Sequence, residues 1–338
     1  MRGNWNYPTS IRFGAGRISE LPDALAAAGI RRPLFVTDAQ LAQSAIARDA
    51  RASAADAPLF ADVRANPTDA NLEAGVAAFR AGGHDGIIAF GGGSALDLGK
   101  LIAFMAGQSR PVWDFEDIGD RWTRADANAI APVVAVPTTA GTGSEVGRAG
   151  VVTDSASRTK RVIFHPRMMP RIVICDPALT VGMPGAVTAG TGLDAFAHCL
   201  EAYCAPAYHP LADGVALEGL RLVKQNLPRA YRAPDDLEAR GHMMSAAAMG
   251  ATAFQKGLGA VHALSHPIGA IYDTHHGMTN AVFLPAVLKA NRPAIAEKID
   301  RLAAYLGIAH GFDGFFSFVL ELRAELGVPN TRAAVGVR

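Results

Sequence analysis

The chain has 338 residues, half of them hydrophobic, and a formal net charge of +1. This length and apolar content predict two domains with sizeable cores. The sequence contains neither the basic, aromatic-rich stripe of a nucleic-acid binder nor an uncharged apolar stretch of the roughly 20 residues that span a bilayer. Its first residues lack the apolar core of a signal peptide, and its three cysteines form no C-x-x-C pair. We therefore expect a cytoplasmic protein that binds neither nucleic acid nor membrane.

The first half of the chain alternates between short apolar runs and helical segments. Helices are predicted at 68–81, after the N-cap candidate Thr68, and at 95–106. Apolar runs that are continuous rather than alternating suit strands covered on both faces. The predicted strands cover residues 34–37, 86–90, 132–136, 151–152, 161–164 and 171–174. This alternation predicts an α/β domain with a mostly parallel sheet over residues 1–180.

Beyond the turn signals at 176–177 and 183–185, apolar residues recur at the three- and four-residue spacing of helices. The predicted helices cover residues 188–205, 210–227, 239–254, 261–271 and 294–306. The sequence therefore predicts an all-α domain over residues 181–338.

Metal-capable side chains are concentrated in this helical half. They are Asp194 and His198, His262 and His266, and His275 and His276. The first two pairs are four residues apart, which places both members on one helix face, one turn apart. Neutral imidazoles with one carboxylate suit a divalent transition metal, and the residue types alone do not separate Fe(II), Zn(II) and Mn(II). A buried core histidine or a helix-surface hydrogen bond explains either pair taken alone; the recurrence favours a metal site.

A glycine run at 91–93, followed by Ser94, stands between a predicted strand and a predicted helix. Glycine allows close backbone approach to a phosphate, and a helix N-terminus offers unpaired N–H groups. The run does not meet the G-x-G-x-x-G fingerprint, because Leu96 stands at its last position, and Leu101 after Lys100 excludes a P-loop. A tight strand-to-helix turn explains the run equally well.

A second loop, residues 137–145, is rich in threonine and glycine and also follows a predicted strand. It suits a diphosphate and a ribose, and its alternative is a flexible loop with a capping box from Thr142 to Glu145. Asp38 ends another strand, where an acid can accept from an adenosine ribose hydroxyl and repel a 2′-phosphate. An ordinary helix N-cap is the alternative role for Asp38.

Taken together, these residues resemble the iron-containing (group III) alcohol dehydrogenase family, and the match covers nearly the whole chain. The matching stretches are 13–16, 91–94 with Asp97 and Lys100, 137–145, 176–177, 192–194 with His198, 262–269, 276–277 and 284–285. The stretches 137–145 and 262–276 are highly specific, whereas the glycine run is not.

The resemblance implies a dehydroquinate synthase-like two-domain plan, with the active site in the cleft between the domains. Its metal ligands fall on Asp194, His198, His262 and His276, with Fe(II) as the usual metal and Zn(II) as a competitor during purification. His266 matches a non-ligand histidine near the nicotinamide, and is the predicted catalytic residue. The family's cofactor positions fall on Gly92, Gly93, Ser94, Asp97, Thr138, Thr139, Thr142, Ser144 and Lys160. The strand-end acid Asp38 is a further predicted cofactor residue. Lys160 is equally explained as a solvated charge just before a strand, and His275 receives no role.

The predicted reaction is hydride transfer between NAD(H), with NADP less favoured because of Asp38, and a small alcohol or aldehyde. The metal would polarise the substrate oxygen, and three neutral histidines with one aspartate would leave a net +1 at the centre. Alternatives are a maleylacetate reductase, which works without metal, an NAD- and metal-dependent lyase resembling dehydroquinate synthase, and a non-catalytic binding protein.

A homodimer is the default assembly. The family usually continues past the position of Arg338, so a C-terminal helical segment is expected to be missing or shortened.

Overall fold

The computed structural model describes residues 2–5 and 7–337, which form two compact units. The first unit takes the described residues up to Thr139 together with Ser144–Thr180. The second takes Ala140–Gly143 and the described residues from Val181 onward. The four residues 140–143 therefore pack with the helical unit, although the chain on both sides of them belongs to the first.

The first unit is built on a seven-stranded sheet and a separate two-stranded hairpin. The strands in chain order are β1 (Arg2–Trp5), β2 (Ser10–Gly14), β3 (Pro33–Val36), β4 (Leu59–Phe60), β5 (Gly86–Gly91), β6 (Val133–Pro137), β7 (Ala149–Asp154), β8 (Thr159–Phe164) and β9 (Ile172–Cys175). The sheet order is β1-β2-β9-β6-β5-β3-β4, and every neighbouring pair is parallel except β1 with β2. Strands β3, β5, β6 and β9 are buried along their whole length, as the continuous apolar runs predicted. The predicted mostly parallel sheet is confirmed.

Strands β7 and β8 pair antiparallel with each other rather than joining the large sheet. Only the four residues 155–158 separate them, whereas a parallel crossover needs a dozen residues or more. The apolar runs at 151–152 and 161–164 thus located the strands, but their content does not distinguish a hairpin from two parallel strands.

In the part of the first unit that the structure describes there are four α-helices, and the sequence predicted the third and the fourth. They are α1 (Leu21–Ala28), α2 (Ala45–Ser53), α3 (Asp69–Ala81) and α4 (Gly93–Met105). Thr68 caps α3 in a capping box, in which the Asn71 amide reciprocates by accepting from the Thr68 backbone N–H.

The second unit is all-helical, as predicted. Its helices are α5 (Gly185–Cys204), α6 (Pro210–Arg232), α7 (Leu237–Ala253), α8 (Ala260–Tyr272), α9 (His276–Tyr305) and α10 (Gly311–Glu325). The prediction missed α10 and placed the start of α9 at 294, whereas the helix begins at His276 and contains both Pro285 and Pro293. Within the described residues, none of these helices combines the length and the apolar character that a bilayer span requires.

Candidate metal centre and dinucleotide site

One face of α5 carries three ionisable side chains at helical spacing. Asp194, His198 and Glu201 follow one another at intervals of four and three residues, and all three are buried. Buried ionisable groups persist only when they are paired or bind a cation, so this face points to a polar site inside the second unit.

The predicted ligands converge on a single oxygen atom. The Nε2 atoms of His276, His262 and His198 lie 3.5, 3.6 and 3.9 Å from Oδ1 of Asp194. Among the described residues, Asp194, His262 and His276 form a group whose ligand atoms could hold a metal ion, and this group does not include the predicted ligand His198. Ligand atoms of a tetrahedral site with bonds of about 2.1 Å lie about 3.4 Å apart, so the observed spacing is close to that of a metal-binding geometry.

The pKa values at this cluster are strongly perturbed. Burial alone would raise the pKa of Asp194, but the surrounding histidines outweigh burial and hold that pKa well below its usual range. Burial likewise would lower the pKa of His262, but its hydrogen bonds to Asp194 and Glu201 raise it to about 9. Burial lowers the pKa of His198 despite the charge of Asp194. The cluster thus favours a positive charge next to a carboxylate, and a divalent cation would take the place of the His262 proton.

Close backbone approaches at glycine bring the ligand helices together. A Cβ on Gly277 would lie 2.1 Å from the carbonyl oxygen of Gly190 and 3.1 Å from Cβ of Asp194. Helix α9 can therefore approach α5 closely at the point where His276 faces Asp194. A Cβ on Gly250 of α7 would similarly lie 3.0 Å from Cβ of His198.

Two functional side chains escaped the sequence prediction, Glu201 and Asn280. Nδ1 of His262 and Oε2 of Glu201 are 2.6 Å apart. The amide nitrogen of Asn280 donates to Oδ1 of Asp194 at 2.7 Å and lies 3.2 Å from Nε2 of both His262 and His276. Glu201 is three residues after His198 and Asn280 is four after His276, so the helical spacing that located the ligands could have found both.

His266 and His275 have different positions. The ring of His266, one turn after His262 on α8, has its centroid 5.7 Å from that of His262 and 5.3 Å from that of His276. His275 caps α9, because its Nδ1 accepts from the Met278 backbone N–H at 3.3 Å. A local capping role therefore accounts for His275.

In the first unit, several predicted cofactor residues meet at the carboxyl ends of β3, β5 and β6, which are neighbours in the sheet. The Thr138 N–H donates to the Gly91 carbonyl at 3.0 Å, and a Cβ on Gly92 would lie 3.3 Å from Cγ2 of Thr139. Gly92 is the N-cap residue of α4, and it offers no side chain to cap that helix. The arrangement leaves a helix N-terminus beside a threonine loop, at the sheet edge where open α/β folds bind ligands.

Asp38, which follows β3, is half-buried. Its Oδ1 accepts from the Leu41 N–H at 2.8 Å. This contact precedes the short 3-10 turn Leu41–Gln43, whose N-cap residue is Gln40 rather than Asp38, and it uses one of the two carboxylate oxygens.

Two side chains of α4 form hydrogen bonds with the end of the second loop and with the strand that follows it. Asp97 accepts from the Ser144 hydroxyl at 2.5 Å and from the Val151 N–H at 3.0 Å. The buried ammonium of Lys100 donates to the Ser144 carbonyl at 2.9 Å and to the Ala149 carbonyl. Asp97 and Ser144, both predicted cofactor residues, are thus hydrogen-bonded to each other.

The remaining predicted cofactor residues are dispersed. Ser94 donates to the Ala65 carbonyl at 2.5 Å. Lys160 lies inside β8 rather than before a strand. Thr142 belongs to the four residues that pack with the second unit, and a short 3-10 turn, Ser144–Val146, follows it.

Comparison with known proteins gives consistent matches along the chain. A family model described as iron-containing alcohol dehydrogenase matches residues 8–177, and one for the C-terminal part of the same family matches 188–338. The 4-hydroxybutyrate dehydrogenase of Cupriavidus necator is 40% identical over 98% of this chain and 89% of its own length.

Two solved structures extend these matches to the fold. A 1,3-propanediol oxidoreductase superposes with a TM-score of 0.91 at 33% identity, over 100% of this chain and 90% of its own. A sulfoacetaldehyde reductase from Bifidobacterium kashiwanohense, solved in complex with NAD+, superposes with a TM-score of 0.89 at 28% identity, over 100% of this chain and 89% of its own.

Proposed function

The chain belongs to the iron-containing alcohol dehydrogenase family and is an oxidoreductase with alcohol dehydrogenase activity, and from this premise we propose a specific reaction and site. The protein transfers hydride between NAD(H), in preference to NADP(H), and a small primary alcohol or its aldehyde. The observation that carries the proposal is the convergence of three histidine Nε2 atoms within 3.5–3.9 Å of one Asp194 oxygen.

We assign the metal to Asp194, His198, His262 and His276. When bound there, Fe(II) or Zn(II) supplies a Lewis acid that polarises the substrate oxygen. Asp194 supplies the negative charge, and the burial of its carboxylate keeps water from screening that charge. His266 is half-buried beside this set and is our candidate for orienting the nicotinamide or relaying the alcohol proton.

We assign NAD(H) to the carboxyl edge of the first unit's sheet. Gly92, Gly93 and Ser94 would receive the pyrophosphate at the N-terminus of α4, and Asp38 would accept from the adenosine ribose. The further proposed contacts are Asp97, Thr138, Thr139, Thr142, Ser144 and Lys160. The NAD+ bound to the sulfoacetaldehyde reductase supports this cofactor.

The names of the relatives suggest short primary alcohols as substrates, among them 4-hydroxybutyrate and 1,3-propanediol. The test removes metal with a chelator and follows NADH absorbance with the corresponding aldehydes, adding Fe(II), Zn(II) or no metal under anaerobic conditions. NADH oxidation that returns only with metal supports the proposal. Full activity without metal would move the protein to the metal-free reductases, and metal-dependent turnover of a substrate without net NADH consumption would favour a lyase.

We also propose a cytoplasmic homodimer. The three cysteines are free thiols in the structure, which suits a reducing compartment, and two-fold dimers are the commonest form of soluble homo-oligomer. Light scattering coupled to size-exclusion chromatography tests the assembly, and a mass of one chain would overturn it.

A further inference from the structure

Glu201 joins two of the helices that carry the proposed ligands. It lies on α5 with Asp194 and His198, and its carboxylate faces the start of α8. Oε1 accepts from the Val261 N–H at 2.7 Å, and Oε2 lies 2.6 Å from Nδ1 of His262. The backbone N–H of His262 also donates to Oε2, at 3.4 Å.

The missing side chain of Gly259 leaves room for the carboxylate of Glu201. A Cβ on Gly259, the residue before α8, would lie 2.7 Å from Oε1 of Glu201. The backbone of Gly259 has φ −131° and ψ −155°, a region open to any residue. Glycine at this position is therefore explained by the approach of Glu201 rather than by backbone conformation.

The contact with Nδ1 determines which histidine nitrogen faces the ligand set. An ionised carboxylate can only accept, so Nδ1 of His262 must donate to it. When a metal takes the place of the proton on Nε2, that nitrogen presents its lone pair toward Asp194 and His276, as a metal ligand requires. We propose that Glu201 is a positioning residue for the metal centre, fixing the tautomer and orientation of His262 while anchoring the start of α8; this inference rests on the proposed metal site.

Glu201 also changes the charge expected at the centre. Asp194 alone leaves a divalent cation with a net +1, as the sequence implied. With Glu201 hydrogen-bonded to a ligand, two carboxylates balance the two charges of the metal. The buried site thus approaches neutrality, which reduces the cost of holding a cation away from water.

A glutamine cannot replace both functions. Its amide offers one acceptor oxygen, which can serve either the α8 backbone or Nδ1 of His262, while its NH₂ faces the other donor. In Glu201→Gln we expect Zn(II) affinity, measured by chelator competition on the full chain, to fall by about 10- to 100-fold. We also expect the ligand-field absorption of the Co(II)-substituted protein to shift. The matched control is Asp236→Asn, a change from carboxylate to amide at the start of α7, which should alter neither readout.

A second variant displaces the carboxylate without changing its charge. Gly259→Ala should weaken Zn(II) binding in the same direction, whereas Gly214→Ala, whose added Cβ meets open space in α6, should not. Zn(II) affinity within twofold of the parent and an unchanged Co(II) spectrum in Glu201→Gln would overturn the inference while leaving the metal centre intact. Failure of the parent chain itself to bind Zn(II), Co(II) or Fe(II) would overturn the proposed centre and the inference with it.

Discussion

Asp38 combines a structural contact with a proposed role in cofactor choice. Its Oδ1 accepts a hydrogen bond from the Leu41 N–H, and its charge would repel the 2′-phosphate of NADP(H). Asp38→Asn keeps an acceptor for the turn and removes the charge. We therefore expect the ratio of kcat/KM for NADPH to that for NADH to rise by about tenfold, equivalent to about 1.4 kcal/mol.

The variant Asp38→Gly also loses the hydrogen bond from the Leu41 N–H, so it tests what that contact contributes to stability. It should shift the cofactor ratio in the same direction and in addition lower the melting temperature. A cofactor ratio unchanged in both variants would remove Asp38 from the cofactor site.

Substitution of His266 should impair catalysis without impairing metal binding. It lies one turn from His262 on α8 and is not part of the group formed by Asp194, His262 and His276. His266→Ala should keep its full metal content and lose about 10²-fold or more in kcat, the usual contribution of a proton-transferring side chain. Metal analysis and steady-state kinetics across pH test this expectation, and a variant with the parent's rates at every pH contradicts it.

Glu145 is a buried carboxyl at the end of the second loop. Burial raises its pKa from 4.5 to about 7, although the charge of Lys100 acts in the opposite direction. The folded chain therefore binds more protons than the unfolded chain between these values, and stability falls as pH rises through this window.

Glu145→Gln should remove that dependence. Between pH 5 and pH 8 the parent's free energy of unfolding should fall by about 2–3 kcal/mol relative to the variant's. Urea unfolding of both proteins at the two pH values measures the difference. Parallel pH profiles would show that Glu145 ionises near its ordinary value.

At the scale of elements, the metal ligands depend on how closely α9 approaches α5. Gly277→Ala places a methyl group 2.1 Å from the Gly190 carbonyl, so the two helices must separate. We expect a loss of about 1–3 kcal/mol in unfolding free energy and weaker metal binding, because His276 moves with α9. Denaturant unfolding and chelator competition test both effects, with Gly214→Ala as control. Parent-like metal affinity would show that His276 does not depend on this contact.

The elements that the sequence predicted are those with a strong local signal. The continuous apolar runs of β3, β5, β6 and β9 are buried on both faces, and such burial is encoded within each run. Strand β2 mixes buried and exposed positions, and α1 and α2 are only eight and nine residues long. Their signals are too short to separate from those of loops.

Local spacing could predict only the part of the candidate site that lies on one helix, and the family resemblance supplied His262 and His276 on two others. Asp194 and His198 share a face of α5, and their spacing indicated it. Asn280 contacts Asp194 across 86 residues of sequence, and Glu201 contacts His262 across 61. Spacing within a helix cannot reveal which second helix packs against it, so these contacts required the fold.

At the scale of the whole molecule, the proposed ligands all belong to helices of the second unit, α5, α8 and α9. A metal that binds only the folded state stabilises it by about 2.7 kcal/mol at a concentration one hundred times its Kd. Chelation should therefore lower the melting temperature, and added Zn(II) should restore it. Calorimetry with and without chelator tests this, and identical thermograms would contradict a metal bound in the folded protein.

The four residues 140–143 have a consequence for dividing the chain. Gly141 and Gly143 approach the backbone of Thr191 and Ala247 so closely that a Cβ on either would overlap it, within 2.7 and 2.4 Å. A fragment starting at Val181 would lack this tetrapeptide and leave those helix surfaces uncovered. The two units are therefore not interchangeable cassettes. A chimera can join the helical half of one relative to the sheet half of another at a single crossover. Residues 140–143 of such a chimera come from the wrong parent and pack against helices they did not evolve with. A chimera in which residues 140–143 are exchanged together with the helices should therefore fold more stably.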